Sequence, residues 1–96
     1  MKENKFQKDL ILELKEKFPD CIILKNDSSY CQGIPDLSIF YKDKWAMLEC
    51  KSAKDKKRQP NQEYYVNKLN KMSYASFIYP ENKKEVLHEL ERTFES

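Results

Sequence analysis

Two apolar segments, residues 35–41 and 44–52, meet at a Lys-Asp-Lys turn and set the limits on what this chain can fold into. Both carry hydrophobic residues at odd and even positions alike, which suits strands buried on two faces rather than strands with one wet side. The second, however, places Glu49 inside its apolar run, Trp45 to Cys50, and follows it with Lys51. Charges in such a segment are costly to desolvate unless something pairs with them. Either a partner waits nearby, or the pair performs chemistry.

Strand geometry makes the second option concrete. Residues two apart face the same side, so Glu49 and Lys51 project together, about 6.5 Å apart along the chain. With a two-residue loop at Lys42-Asp43, Tyr41 pairs with Lys44 and Asp36 stands directly opposite Glu49, their Cβ atoms roughly 5 Å apart. Two carboxylates that close repel each other unless a cation bridges them. A hard divalent ion with oxygen ligands, Mg²⁺ or Mn²⁺, is the matching cation. A three-residue loop would instead put Asp36 opposite Cys50, and Lys-Asp lacks the Asn-Gly chemistry that two-residue hairpins favour. The plainer alternative makes Asp36 a turn residue behind Pro35, and Glu49 with Lys51 an exposed ion pair on an edge strand.

The remaining segments supply the rest of a fold. Phe6, Leu10, Ile11, Leu14 and Phe18 recur at helical spacing and Pro19 ends the run, so 5–18 reads as an amphipathic helix. Residues 21–24 form a short strand and 26–33 a polar loop. Pro60 suits the first turn of a helix that continues through residue 72. Residues 74–80 read as a fourth strand, and Asn82 caps a last helix bearing Val86, Leu87, Leu90 and Phe94. The order α-β-β-β-α-β-α implies one α/β domain over 1–96, with a central mixed sheet flanked by helices. Ninety-six residues leave no room for a second module. No apolar stretch nears the ~18 residues of a membrane span, and no signal-peptide core is present. Three cysteines without CxxC spacing and a single histidine argue against zinc and fit a reducing cytoplasm.

Lys54, Lys56, Lys57 and Arg58 follow the acidic pair on one basic loop. They read either as phosphate contacts, independent of sequence and sensitive to salt, or as a solvated charge run. Asn26, Ser28 and Gln32 read equally as phosphate donors or as an ordinary polar turn. His88 reads as a surface residue. Trp45, Tyr64, Tyr74, Phe77 and Tyr79 read as packing residues rather than base-stacking platforms. The thiols read as small core residues, Cys31 the most exposed of them.

Pro35-Asp36 followed, after twelve residues, by Glu49-Cys50-Lys51 resembles the PD-(D/E)XK nuclease signature. Gly33-Ile34-Pro35-Asp36-Leu37 with a helix glutamine downstream is most similar to the small VRR-NUC and Holliday-junction-resolvase branches. The resemblance covers nearly the whole chain and implies a restriction-endonuclease-like core. It implies a Mg²⁺- or Mn²⁺-dependent endonuclease acting on DNA, with RNA still open, structure-guided rather than sequence-specific, with a homodimer like that of the resolvases as an open alternative to a monomer. Asp36 and Glu49 would ligate the metal with the main-chain carbonyl of Cys50, and Lys51 would position or activate water. Gln62 would contact Lys51, the water or the phosphate, with Tyr65 a turn further on. A first-helix glutamate often joins such sites; Glu3 is the preferred candidate here, with Gln7 and Glu13 as alternatives. Compact members are often phage-encoded, which implies a bacterial or infected-host cytoplasm. The competing function is a non-catalytic nucleic-acid-binding protein on the same scaffold; a purely structural α/β protein is a third.

Overall fold

A computed structural model describes residues 2–96. The elements are α1 (Glu3–Lys17), β1 (Ile22–Lys25), β2 (Leu37–Tyr41), β3 (Lys44–Cys50), α2 (Pro60–Met72), β4 (Tyr74–Ile78) and α3 (Lys83–Glu95). They build one four-stranded sheet in the order β1-β2-β3-β4. The first three strands run antiparallel and β4 lies parallel to β3, so the sheet is mixed.

Tyr41 pairs with Lys44, so the hairpin loop is the two residues Lys42-Asp43. Lys42 takes the positive φ, 59°, that closes this loop, a conformation uncommon for a residue with a side chain. Its ammonium rests 5.2 Å from the centre of the Tyr41 ring. β2 begins at Leu37 rather than at residue 35. Pro35 has no N–H for the ladder, and Asp36 makes its bond to β3 through its side chain instead.

One face of the sheet packs Leu37, Ile39, Ala46, Leu48, Cys50 and Ile78 against Phe6, Leu10 and Leu14 of α1 and Val86, Leu90 and Phe94 of α3. The other face packs Met47, Ala75 and Phe77 against Val66 of α2, with Trp45, Leu69 and Tyr79 alongside. The odd residues of β3 therefore face α2 while the even ones face α1 and α3, and every residue from Ala46 to Cys50 is buried.

The expectation of helices covering both faces holds only in part. α2 connects β3 to β4 and lies over those two strands. On its side, β1 and the far end of β2 stay bare: Ile22 is 60% exposed, Leu24 50% and Phe40 41%. Asn82 occupies the N-cap position of α3 but its side chain does not cap the helix. It turns back to β4, accepting from the Tyr79 N–H (2.8 Å) and donating to the Phe77 carbonyl (3.1 Å). Asn70 accepts from the Ala75 N–H at 3.1 Å. Together the two asparagines occupy groups on the outer edge of β4 that would otherwise invite another strand.

Candidate active site

The hairpin register, extended one residue beyond the Leu37–Leu48 pair, brings Asp36 level with Glu49. Asp36 Oδ2 accepts the backbone N–H of Cys50 at 2.9 Å, closing the ladder where proline cannot. The next N–H along, that of Lys51, donates to the Ile78 carbonyl of β4 at 2.9 Å. Backbone groups of neighbouring residues point to opposite sides of a strand, so the Cys50 N–H and carbonyl both face the Asp36 side.

Glu49 and Lys51 are buried, 4% and 9% exposed, and the third buried polar residue is Ser38. The plainer alternative, an exposed ion pair on an edge strand, is excluded: β3 is an inner strand, and among the described residues no ion pair joins Lys51 to a carboxylate. Gln62 stands between the two charges. Its Oε1 accepts from Lys51 Nζ at 2.9 Å and its Nε2 donates to Glu49 Oε2 at 3.0 Å. The same Oε1 accepts the Gln59 N–H at 3.0 Å, tying the bridge to the first turn of α2. No buried side-chain nitrogen or oxygen among the described residues lacks a partner.

Electrostatics follow from this enclosure. Burial pushes the Glu49 carboxyl up to about 8; Asp36 and, more weakly, Glu3 add to the rise while Lys51 opposes it. Asp36 is also raised by burial, against the pull of the Cys50 N–H and Lys51. Two adjacent acids held from water cannot both ionise cheaply without a cation. Glu3, at the start of α1, is raised by shielding from water and then by Asp36, with Lys51 opposing. Glu3 is thus within electrostatic reach of the acidic pair. Gln7 contacts the Cys50 thiol, which burial raises. Glu13 lies elsewhere, paired with Lys83 at 3.0 Å.

Two features that position the site were not evident as such in the sequence. Gly33, the sole glycine, has φ +93°, and a Cβ there would lie 2.8 Å from the backbone carbon and oxygen of Asn61. Only glycine lets the loop ahead of Pro35 press against the first turn of α2, which holds Gln62 over β3. Asn26 is the second. Its Nδ2 donates to the Pro35 carbonyl and to Ser38 Oγ, both at 2.8 Å, and its backbone N–H donates to the Asp36 carbonyl at 2.8 Å. That side chain is spent on holding residues 35–38, so it is not a free phosphate donor.

Lys54, Lys56, Lys57 and Arg58 are exposed on the loop between Lys51 and Gln62. Arg58 differs from the lysines in reaching back to the protein, its guanidinium carbon 4.1 Å from the Phe77 ring centre. Gln32 and Ser28 are exposed. Tyr65 is half-buried beside Cys31, whose contact raises the phenol. Tyr64 was expected to pack but is 55% exposed, because it points outward from α2 while Val66 turns inward. His88 is exposed on α3, and all three cysteines are free thiols.

No group of three or more His, Cys, Asp or Glu side chains among the described residues is gathered closely enough to hold a metal alone. The available oxygen donors are the two carboxylates and the Cys50 carbonyl. That is a thin set for calcium or zinc. It suits Mg²⁺, which keeps several waters and is held by one or two carboxylates. Among the described residues no helix is long and apolar enough to cross a membrane. Comparison of the chain with family models, curated proteins and solved structures finds no significant match.

Proposed function

We propose that this chain is a divalent-metal-dependent endonuclease of the PD-(D/E)XK type, hydrolysing phosphodiester bonds in DNA. The observation that carries the reading is that Asp36, just ahead of β2 and bonded to the Cys50 N–H, stands level with Glu49 of β3, with Lys51 linked to Glu49 through Gln62. A cation would relieve an acid pair of this kind, Glu49 buried and Asp36 half-buried, both raised by shielding from water. The α-β-β-β-α-β order, with the acids on the antiparallel hairpin and the glutamine on the crossover helix, agrees with that superfamily's core.

In this reading Asp36, Glu49 and the Cys50 carbonyl would hold Mg²⁺ or Mn²⁺, and Glu3, which feels the charge of Asp36, is the first-helix candidate for a second ion. The bound ion would lower the pKa of a water and offset charge developing on the phosphate. Lys51 donates one hydrogen to Gln62 and has two left for the attacking water and a non-bridging oxygen. By accepting one of its hydrogens, Gln62 would hold the ammonium in place. The water oxygen would form the new bond to phosphorus and lose its proton to solvent, while the bond to the leaving oxygen breaks and that oxygen takes a proton from solvent water. Lys54, Lys56 and Lys57 gather the flanking phosphates.

The test is digestion of a supercoiled plasmid, a four-way junction, a flap and a linear duplex with Mg²⁺ or Mn²⁺, against an EDTA control. Wild type is expected to cut at least one, and Lys51→Ala and Asp36→Asn to cut none while melting cooperatively. DNA binding without cleavage by any form would instead favour the non-catalytic reading, and full-rate cutting by Lys51→Ala would remove Lys51 from the chemistry.

A further inference from the structure

Beside the proposed centre a groove of about 270 Å³ runs along α2 and β4, with Arg58 at its rim. Val66 and Phe77, both buried, lie beneath it, and its largely polar walls carry Glu63, Asn67 and Asn70. Phe77 is the β4 partner of Glu49, and parallel partners share a face, so the floor lies one strand away from the acidic pair. Along α2, Glu63 follows Gln62 directly and Val66 lies one turn on.

We propose that this groove receives one unpaired nucleobase of the substrate strand. The inference rests on the nuclease reading and adds to it that the preferred DNA has an unpaired nucleotide beside the bond cut. Three observations carry it. The guanidinium carbon of Arg58 sits 4.1 Å over the Phe77 ring while Arg58 is exposed, and the side of it turned to solvent is one a base could stack on. The groove is of the size of a base with part of its sugar. Its walls offer the donors and acceptors that read base edges: Asn70 has its amide NH₂ free while its oxygen holds Ala75, and Asn67 is exposed and uncommitted. A continuous duplex keeps its bases stacked and could not fill such a groove; a flap, a bulge or a splayed end could.

The test compares cleavage, at substrate well below saturation with Mg²⁺, of three duplexes. One is fully paired, one carries a single unpaired nucleotide, and one carries an abasic residue at that position. Wild type is expected to cut the unpaired substrate about tenfold faster than the abasic one, the size of one base-stacking contact. Asn67→Phe, which fills the groove from an exposed helix position, is expected to bring the two rates together, and so is Arg58→Ala. Equal wild-type rates on the unpaired and abasic substrates would overturn the inference and leave the nuclease reading standing. Failure to cut the unpaired substrate would overturn the inference, and absence of metal-dependent cleavage both here and on the plasmid, junction and flap would overturn both.

Discussion

Glu49→Gln in the metal-free protein separates the cost of the buried carboxyl from everything else at the site. Glutamine keeps the size of the side chain and an oxygen to accept from Gln62, and it has no proton to lose. In the wild type the folded value, about 8, lies above the ordinary 4.5. The folded protein therefore retains a proton that the unfolded chain releases, and stability declines as pH rises from about 4.5 to 8. The full displacement corresponds to about 5 kcal/mol at ~1.4 kcal/mol per pH unit. Relaxation of Lys51 and Gln62 and water at the sheet end reduce it, and about 2–3 kcal/mol is the expected loss. Asp36 and Glu3 titrate in the same direction, so the informative quantity is the difference in slope between the two proteins. Urea denaturation in EDTA at pH 5 and pH 8 measures it, with the Glu49→Gln protein flatter by that amount. Parallel profiles, within about 0.5 kcal/mol, would refute the argument that burial and Asp36 hold this acid protonated.

Gly33→Ala is expected to lose about 2–4 kcal/mol by urea denaturation, because the new methyl meets the Asn61 backbone and φ is +93°; a loss under about 1 kcal/mol would show that α2 gives way freely. Gln62→Ala removes the acceptor of a buried ammonium and should cost about 1–2 kcal/mol together with roughly a hundredfold in cleavage rate. Asn26→Ala and Ser38→Ala are expected to be non-additive, with a double-mutant coupling of about 1 kcal/mol, since they share two hydrogen bonds. Ile22→Thr on the bare face of β1 should change stability by less than about 1 kcal/mol, as thermal melting would show.

Much of this site was legible in the sequence because a hairpin is a local object. Once the loop is two residues long, arithmetic places Asp36 against Glu49, and alternation puts Lys51 beside them. The element order followed from periodicity and from Pro19 and Pro60. What stayed hidden depends on contacts between segments distant along the chain. Nothing local to Asn26 says that its amide will grip Pro35 and Ser38. The loneliness of Gly33 was a usable signal, since a chain with one glycine places it where no other residue fits. The bare flank of β1 and β2 was missed because apolar residues there imitate a buried strand, and only the path of α2 decides which strands are covered. The asparagine at position 82 looked like a cap from its place in the sequence, yet the free edge of β4 competed for its amide and won.

The parallel pairing of β3 with β4 has a kinetic consequence. The β2–β3 hairpin closes over two residues and forms at little entropic expense, whereas β4 can join only after residues 51–73 have looped back. The acids belong to the early piece and Gln62 to the late one. During refolding from urea, protection of the α2 amides and the Gln62 bridge should therefore come with the slowest phase, well after the hairpin's own hydrogen exchange has become protected, and any cleavage under the proposed function should return with that phase.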